Sequence, residues 1–213
     1  MTRIDRASGS YRRASEHRAV AAWVGDQPVL TATVDRKLDA VHHGRWAAIL
    51  PNPTTAEGRQ LRRWITQVVV TEVLLDHLAT NLALNDNHSE ELPSATTLAL
   101  QGAAALELGS IVAAALASSP VARRVYEHVA GGTAVDAEEV RRYYDRNEDL
   151  FAAPGGPAPF AAVRQQLTAE LTQVTQRRHF LQWLDHQRAQ LVRLEPGYEH
   201  PADPRNPDST HRH

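Results

Sequence analysis

DAEEVRRYYDRNEDLF, residues 136–151, and PFAAVRQQLTAELTQVTQRRHFLQWLDHQ, residues 159–187, are separated by a short Pro/Gly-rich loop and read as two helices. Asp136 is a good N-cap, and Glu139 three residues later answers it as a capping box. Val140, Tyr143 and Tyr144 then supply an apolar stripe. The second segment is long and amphipathic, with Pro159 suited to its first helical position. Phe160, Val163, Leu167, Leu171, Val174, Phe180, Trp183, Leu184 and Leu191 recur mostly at three- and four-residue spacing, which predicts one continuous apolar face.

Upstream, VAAWVGDQPVL (20–30) predicts two short strands around a turn at Gly25 and Asp26. A helix follows from Thr31 or Thr33 with Val34, Leu38 and Val41 on one side. Residues 44–54 form a loop, and Thr54 with Glu57 predicts a capping box for a helix over 57–84. That helix turns Leu61, Trp64, Ile65, Val68, Val69, Leu75, Leu78 and Leu82 inward. An Ala/Leu-rich helix is expected over 95–117, with Gly102 and Gly109 as weak points. Ser118 or Ser119 then caps, Pro120 opens a short helix to Val129, and Gly131 with Gly132 ends it. LVRLE (191–195) predicts a brief strand added to the early hairpin. The domain therefore spans 19–195, between a flexible polar arm (1–18) and a Pro/His-rich tail (196–213) that is either poorly ordered or draped over the surface.

Three stretches resemble SurA-like and PpiC-type (PrsA-like) foldases. The 136–151 helix is similar to the "EEV…YYD.N…F" helix that leads into a parvulin prolyl-isomerase domain in that family. The 160–190 helix is similar to the "F..V...L...L.......F..WL" helix that follows it. Gly25, Val29, Thr31, Asp35 and Leu38 hold the places of the family's N-domain start, and RWITQVVVTEVLLDHLA (63–79) fits its long helix. The resemblance implies a mainly α, SurA-N-like helical cradle with a small N-terminal β-hairpin and a long returning C-terminal helix. Only AAPGGPAP (152–159) joins Phe151 to Phe160 here. A parvulin domain has no room there, so prolyl isomerisation is not expected.

Composition narrows the chemistry. The 213 residues allow one proper core, and a formal net charge of −2 argues against a dedicated nucleic-acid binder. No run approaches the roughly 20 apolar residues of a membrane span. The absence of cysteine removes disulfides, thiolate zinc sites and a cysteine nucleophile. The N-terminus lacks the apolar core of a secretory signal, so a cytoplasmic location is expected although the family's members work outside it. No P-loop, G-x-G-x-x-G or G-x-S-x-G motif occurs.

What remains is a binding surface. The resemblance implies a cradle that holds unfolded or extended polypeptide, or one dedicated protein partner, without ATP or a cofactor; a homodimer is compatible with it. Trp46, Trp64, Tyr143, Tyr144, Phe180 and Trp183 are the large side chains that can line such a groove, with ordinary core packing as the competing role. The rival reading is an accessory protein or metal-dependent enzyme of small-molecule (secondary) metabolism. There His200, His211 and His213, with Asp203 and Asp208, would supply N and O ligands from the tail. Against it stand the entropic cost of organising a flexible tail and the absence of a zinc-motif spacing elsewhere. His42 and His43, being adjacent, diverge by about 100° on a helix.

Overall fold

The computed structural model describes residues 19–44, 47–84, 107–153, 156–205 and 208. Val20–Val24 (β1) and Gln27–Leu30 (β2) form the expected antiparallel hairpin. Its turn requires Gly25, whose φ of 56° is left-handed backbone that glycine enters without a Cβ penalty. Leu30 passes directly into helix α1, Thr31–His42. Thr31 fastens that junction, donating both its N–H (2.8 Å) and its Oγ1 (3.0 Å) to the carbonyl of Ala19.

Helix α2, Ala56–Asn81, is the axis of the molecule. Its N-cap is Thr55, one residue later than expected, whose Oγ1 accepts from the Gly58 N–H at 3.2 Å. Gly58 is required because a Cβ there would lie 2.0 Å from the Asn52 carbonyl oxygen of the preceding loop. The helix also stops three residues short of the expected Leu84. Ala83 adopts a φ of 56°, which turns the chain away and leaves Leu82 36% exposed instead of inward. Of the helix expected over 95–117, the described part is helical at 107–108 and again in α3, Ser110–Ser118, with a break at Gly109, whose φ is 75°; residues 95–106, Gly102 among them, lie outside the described residues. Ser119 then caps α4, Pro120–Ala130, accepting from the Ala122 N–H at 3.1 Å with Pro120 in the first turn.

Asp136 caps α5, Ala137–Arg146, through the Glu138 N–H at 2.9 Å. The loop to the last helix holds a miniature hairpin of β3 (Ala152–Ala153) and β4 (Gly156–Pro157). Pro159 is the cap of α6, Phe160–Leu191, and not its first residue. At 32 residues α6 is about 48 Å long. It ends in β5, Val192–Leu194, which pairs antiparallel with β1 in the register Ala22↔Leu194 and Val24↔Val192. The sheet order is therefore β2-β1-β5, and the expected strand at LVRLE closes the two ends of the domain together.

The architecture is mainly α, with the small N-terminal hairpin and the long returning C-terminal helix that the sequence predicts. The apolar face of α6 is divided between two clusters. Phe180 and Leu184 join Ile65, Val70, Leu74 and Leu75 of α2 in the main core. Leu167 packs instead with Val140 and Tyr144 of α5, and Phe160, Val163 and Leu171 cover that second cluster. The α5–α6 pair is thus held by its own small core, and α6 is the beam that joins it to the body.

Phe180 is fully buried, 4.9 Å ring to ring from Tyr126. Phe180→Ala should cost about 3–5 kcal/mol of unfolding free energy in urea titration. Ile49→Ala, at a side chain 75% exposed, should change it by less than about 0.5 kcal/mol.

Candidate functional site

Three buried stripes leave a gap between α2, α3 and the C-terminal half of α6. The result is a cleft of about 560 Å³. Trp64 and Leu74 of α2, Val112 of α3, and Leu181 and Leu184 of α6 give it an apolar wall. The chain that leaves β5 crosses its mouth, so that His200, Pro201 and Ala202 form the rim. Trp64 is half-buried, and its Nε1 donates to Ser110 Oγ at 2.9 Å, tying α2 to α3.

The polar groups of the cleft lie at apolar-stripe positions of their helices. Gln67 and Thr71 follow Trp64 at spacings of three and four on α2, and both are buried. Arg188 falls four residues after Leu184 and three before Leu191 on α6. Its Nη2 donates to Gln67 Oε1, and its Nη1 reaches Thr71 Oγ1 at 3.4 Å. Burial holds the Arg188 guanidinium below its ordinary pKa, with the charge of Asp185 one turn earlier opposing the shift. Arg177, also on the stripe, is treated differently: its Nε donates to Glu107 Oε2 at 2.5 Å. On the rim, burial and the charge of Arg188 lower the pKa of His200, whose Nδ1 accepts the Ala202 N–H at 3.1 Å. That bond leaves Nε2 as the protonated nitrogen of the neutral ring.

Along the same edge of α2, side chains hold the C-terminal segment by its main chain. Gln67 Nε2 donates to the Tyr198 carbonyl at 2.7 Å, and Gln60 Nε2 to the Asp208 carbonyl at 3.0 Å. Arg59 and Arg63 grip the Asp208 carboxylate, with Arg63 Nη1 at 2.7 Å. The described part of the tail, residues 196–205 and 208, therefore lies over α2.

The aromatic residues expected to line one groove are dispersed. Trp64 lines the cleft. Phe180 is fully buried in the main core, and half-buried Trp183 packs tilted beside it, ring centroids 5.9 Å apart. Tyr144 is buried in the second cluster, its hydroxyl donating to the Ala158 carbonyl at 2.7 Å, and half-buried Tyr143 packs there too. Phe180 and Tyr144 therefore pack as core, because their spacing serves helix packing. Trp46 lies outside the described residues. So do His211 and His213. Among the described residues no three His, Asp or Glu side chains converge as a metal site. Asp203 hydrogen-bonds Arg205, and Asp208 is engaged by Arg59 and Arg63, so both carboxylates are held by arginines, while the charge of Asp203 still acts on His200. Also among the described residues, no helix is long and apolar enough to cross a membrane.

The residues that composition and motif reading passed over are Gln67, Thr71, Arg177 and Arg188. Polar side chains at stripe positions were the signal.

Hydrogen bonds from Arg59 and Arg63 hold the Asp208 carboxyl well below the usual carboxylate range. A depressed folded-state pKa means the tie is complete above the ordinary value of about 4 and is lost only as pH falls through the depressed one. The carboxyl carbon shift of Asp208 should stay constant from neutral pH to about pH 4 and move only below it. In Asp208→Asn the amide shifts of residues 198–205 should differ from the parent's already at neutral pH. A midpoint at the ordinary carboxylate value in the parent chain would show that the arginines do not hold the tail.

A family model described as "Family of unknown function (DUF7158)" matches residues 20–57, which cover the hairpin, α1 and the start of α2. No curated protein and no solved structure matches the chain.

Proposed function

We propose that this chain is a non-catalytic, ATP-independent holder of extended polypeptide, a SurA-N-like cradle without a parvulin domain. The observation that carries this reading is the chain's own tail. Buried Gln67 and neighbouring Gln60 bind two of its main-chain carbonyls, a mode of contact indifferent to side-chain sequence. An extended client can use the same donors and press its apolar side chains into the adjoining cleft, where Trp64 offers a large amphipathic surface. The tail then acts as an internal competitor that a client displaces. The joining segment 152–159 supports the non-catalytic part of the reading, since β3 and β4 are two-residue strands with no body between them.

Added to a chemically unfolded client on dilution, the full chain should suppress light scattering, and Asp208→Asn should do so better because its tail competes less. Trp64→Phe should weaken binding of an extended apolar peptide by about 1–2 kcal/mol, roughly tenfold. A proline-isomerisation assay should show no turnover. Failure to suppress aggregation at large molar excess, or robust isomerase activity, contradicts the proposal.

A further inference from the structure

Arginine keeps its proton at all ordinary pH values, so a guanidinium drawn into an apolar cleft calls for an anion. Three of the arginines that pack inside this fold have one. Arg63 meets Asp208 at 2.7 Å, Arg177 meets Glu107 at 2.5 Å, and Arg62 meets Asp35 at 2.6 Å. Arg123 turns instead to the Leu116 and Ala117 carbonyls, and Arg188 lines the cleft without a carboxylate of its own. Among the described residues its acceptors are the neutral oxygens of Gln67 and Thr71, and no carboxylate lies within ion-pair distance. Those bonds engage two of its N–H groups, and a guanidinium carries five. Asp185 lines the same cleft but is exposed, and Glu107 is taken by Arg177.

We propose that the cleft binds a small carboxylate with an apolar body, its carboxylate on Arg188 and its body against Trp64, Leu74 and Leu181. The volume of about 560 Å³ is that of a small-molecule site, and the lining has the usual form of such sites: apolar walls with few convergent polar groups. A single planar guanidinium matches one carboxylate in two parallel bonds. A phosphate dianion would be left short of positive charge, because His200 on the rim is neutral. His200 Nε2 adds a neutral donor at the mouth. The same carboxylate can be borne by a free aryl or branched-chain acid or by the C-terminal residue of a peptide. This site goes beyond the holding of extended chains, since its key contact is with a terminal carboxylate and not with a peptide carbonyl.

Calorimetric titration of the full chain separates these cases. 3-Phenylpropionate and N-acetylphenylalanine are the two acid probes, representing a free acid and a peptide C-terminus. 3-Phenylpropionamide is the neutral isostere, and inorganic phosphate the bare anion. The acids should bind at least about tenfold more tightly than the amide, as a charge-assisted pair requires. Preference between the two acids identifies the source. Arg188→Met should abolish the difference between acid and amide. If that variant does not fold, Leu181→Trp tests the same site by filling the cleft with Arg188 in place, and should prevent uptake of both acids. Equal binding of acid and amide, no saturable binding of either acid, or phosphate competing as well as the acids would overturn the proposal. None of these results bears on aggregation suppression, so the two readings fail separately.

Discussion

The antiparallel pairing of Val192–Leu194 with Ala22–Val24 is the constraint on which the rest of the structure depends. A helix of 32 residues that ended free would have no fixed inclination to the body. Here its last residue is fastened, with the Gly25 N–H donating to the Leu191 carbonyl at 2.8 Å and the Glu195 N–H to the Ala21 carbonyl at 3.0 Å. Trp23 adds a side-chain tie, its Nε1 donating to Glu195 Oε1 at 3.1 Å. Three residues of strand pairing thereby set the course of α6 across α2, and this course leaves the gap between the two helices. It also fixes where the tail emerges, at the mouth of that gap.

The consequence is a division of labour along α6. Its first half carries a private cluster with α5, and its second half belongs to the main core. Between and beyond those apolar positions stand Arg177 and Arg188, at places where the helical period calls for leucine. One is neutralised by Glu107; the other faces Gln67 and Thr71, which interrupt the stripe of α2 at the same level. Two helices that give up apolar contact at a shared level lose packing stability there, and an apolar-walled cleft with a few polar groups is what they obtain.

Elements with strong local chemistry were legible in the sequence. Ser119-Pro120, Asp136 and Gly25 mark their boundaries because capping and left-handed backbone are decided within a few residues. The strand at 192–194 was also readable, from a run of apolar alternation after the last helix. Boundaries set by tertiary contact were displaced. Thr55 caps α2 in place of Thr54 because Gly58 lets the Asn52 loop close on it, and the helix stops at Asn81 because Ala83 turns left-handed. The site was hardly legible at all. Aromatic size pointed to Phe180 and Tyr144, which burial assigns to two different cores, while no motif drew attention to Arg188. Which of two stripe-breaking residues finds a carboxylate depends on helices far apart in the chain.

The proposed holding of extended chains requires α2 and α6 to present one surface that the described tail residues cover and an extended ligand takes over. Hydrogen–deuterium exchange of the full chain, with and without an extended apolar peptide, tests this most directly. The account predicts slower exchange in residues 60–74 and 181–188 on peptide addition, together with faster exchange in residues 198–205 as the tail is displaced. Protection confined to the α5–α6 pair, with residues 198–205 unchanged, would contradict it.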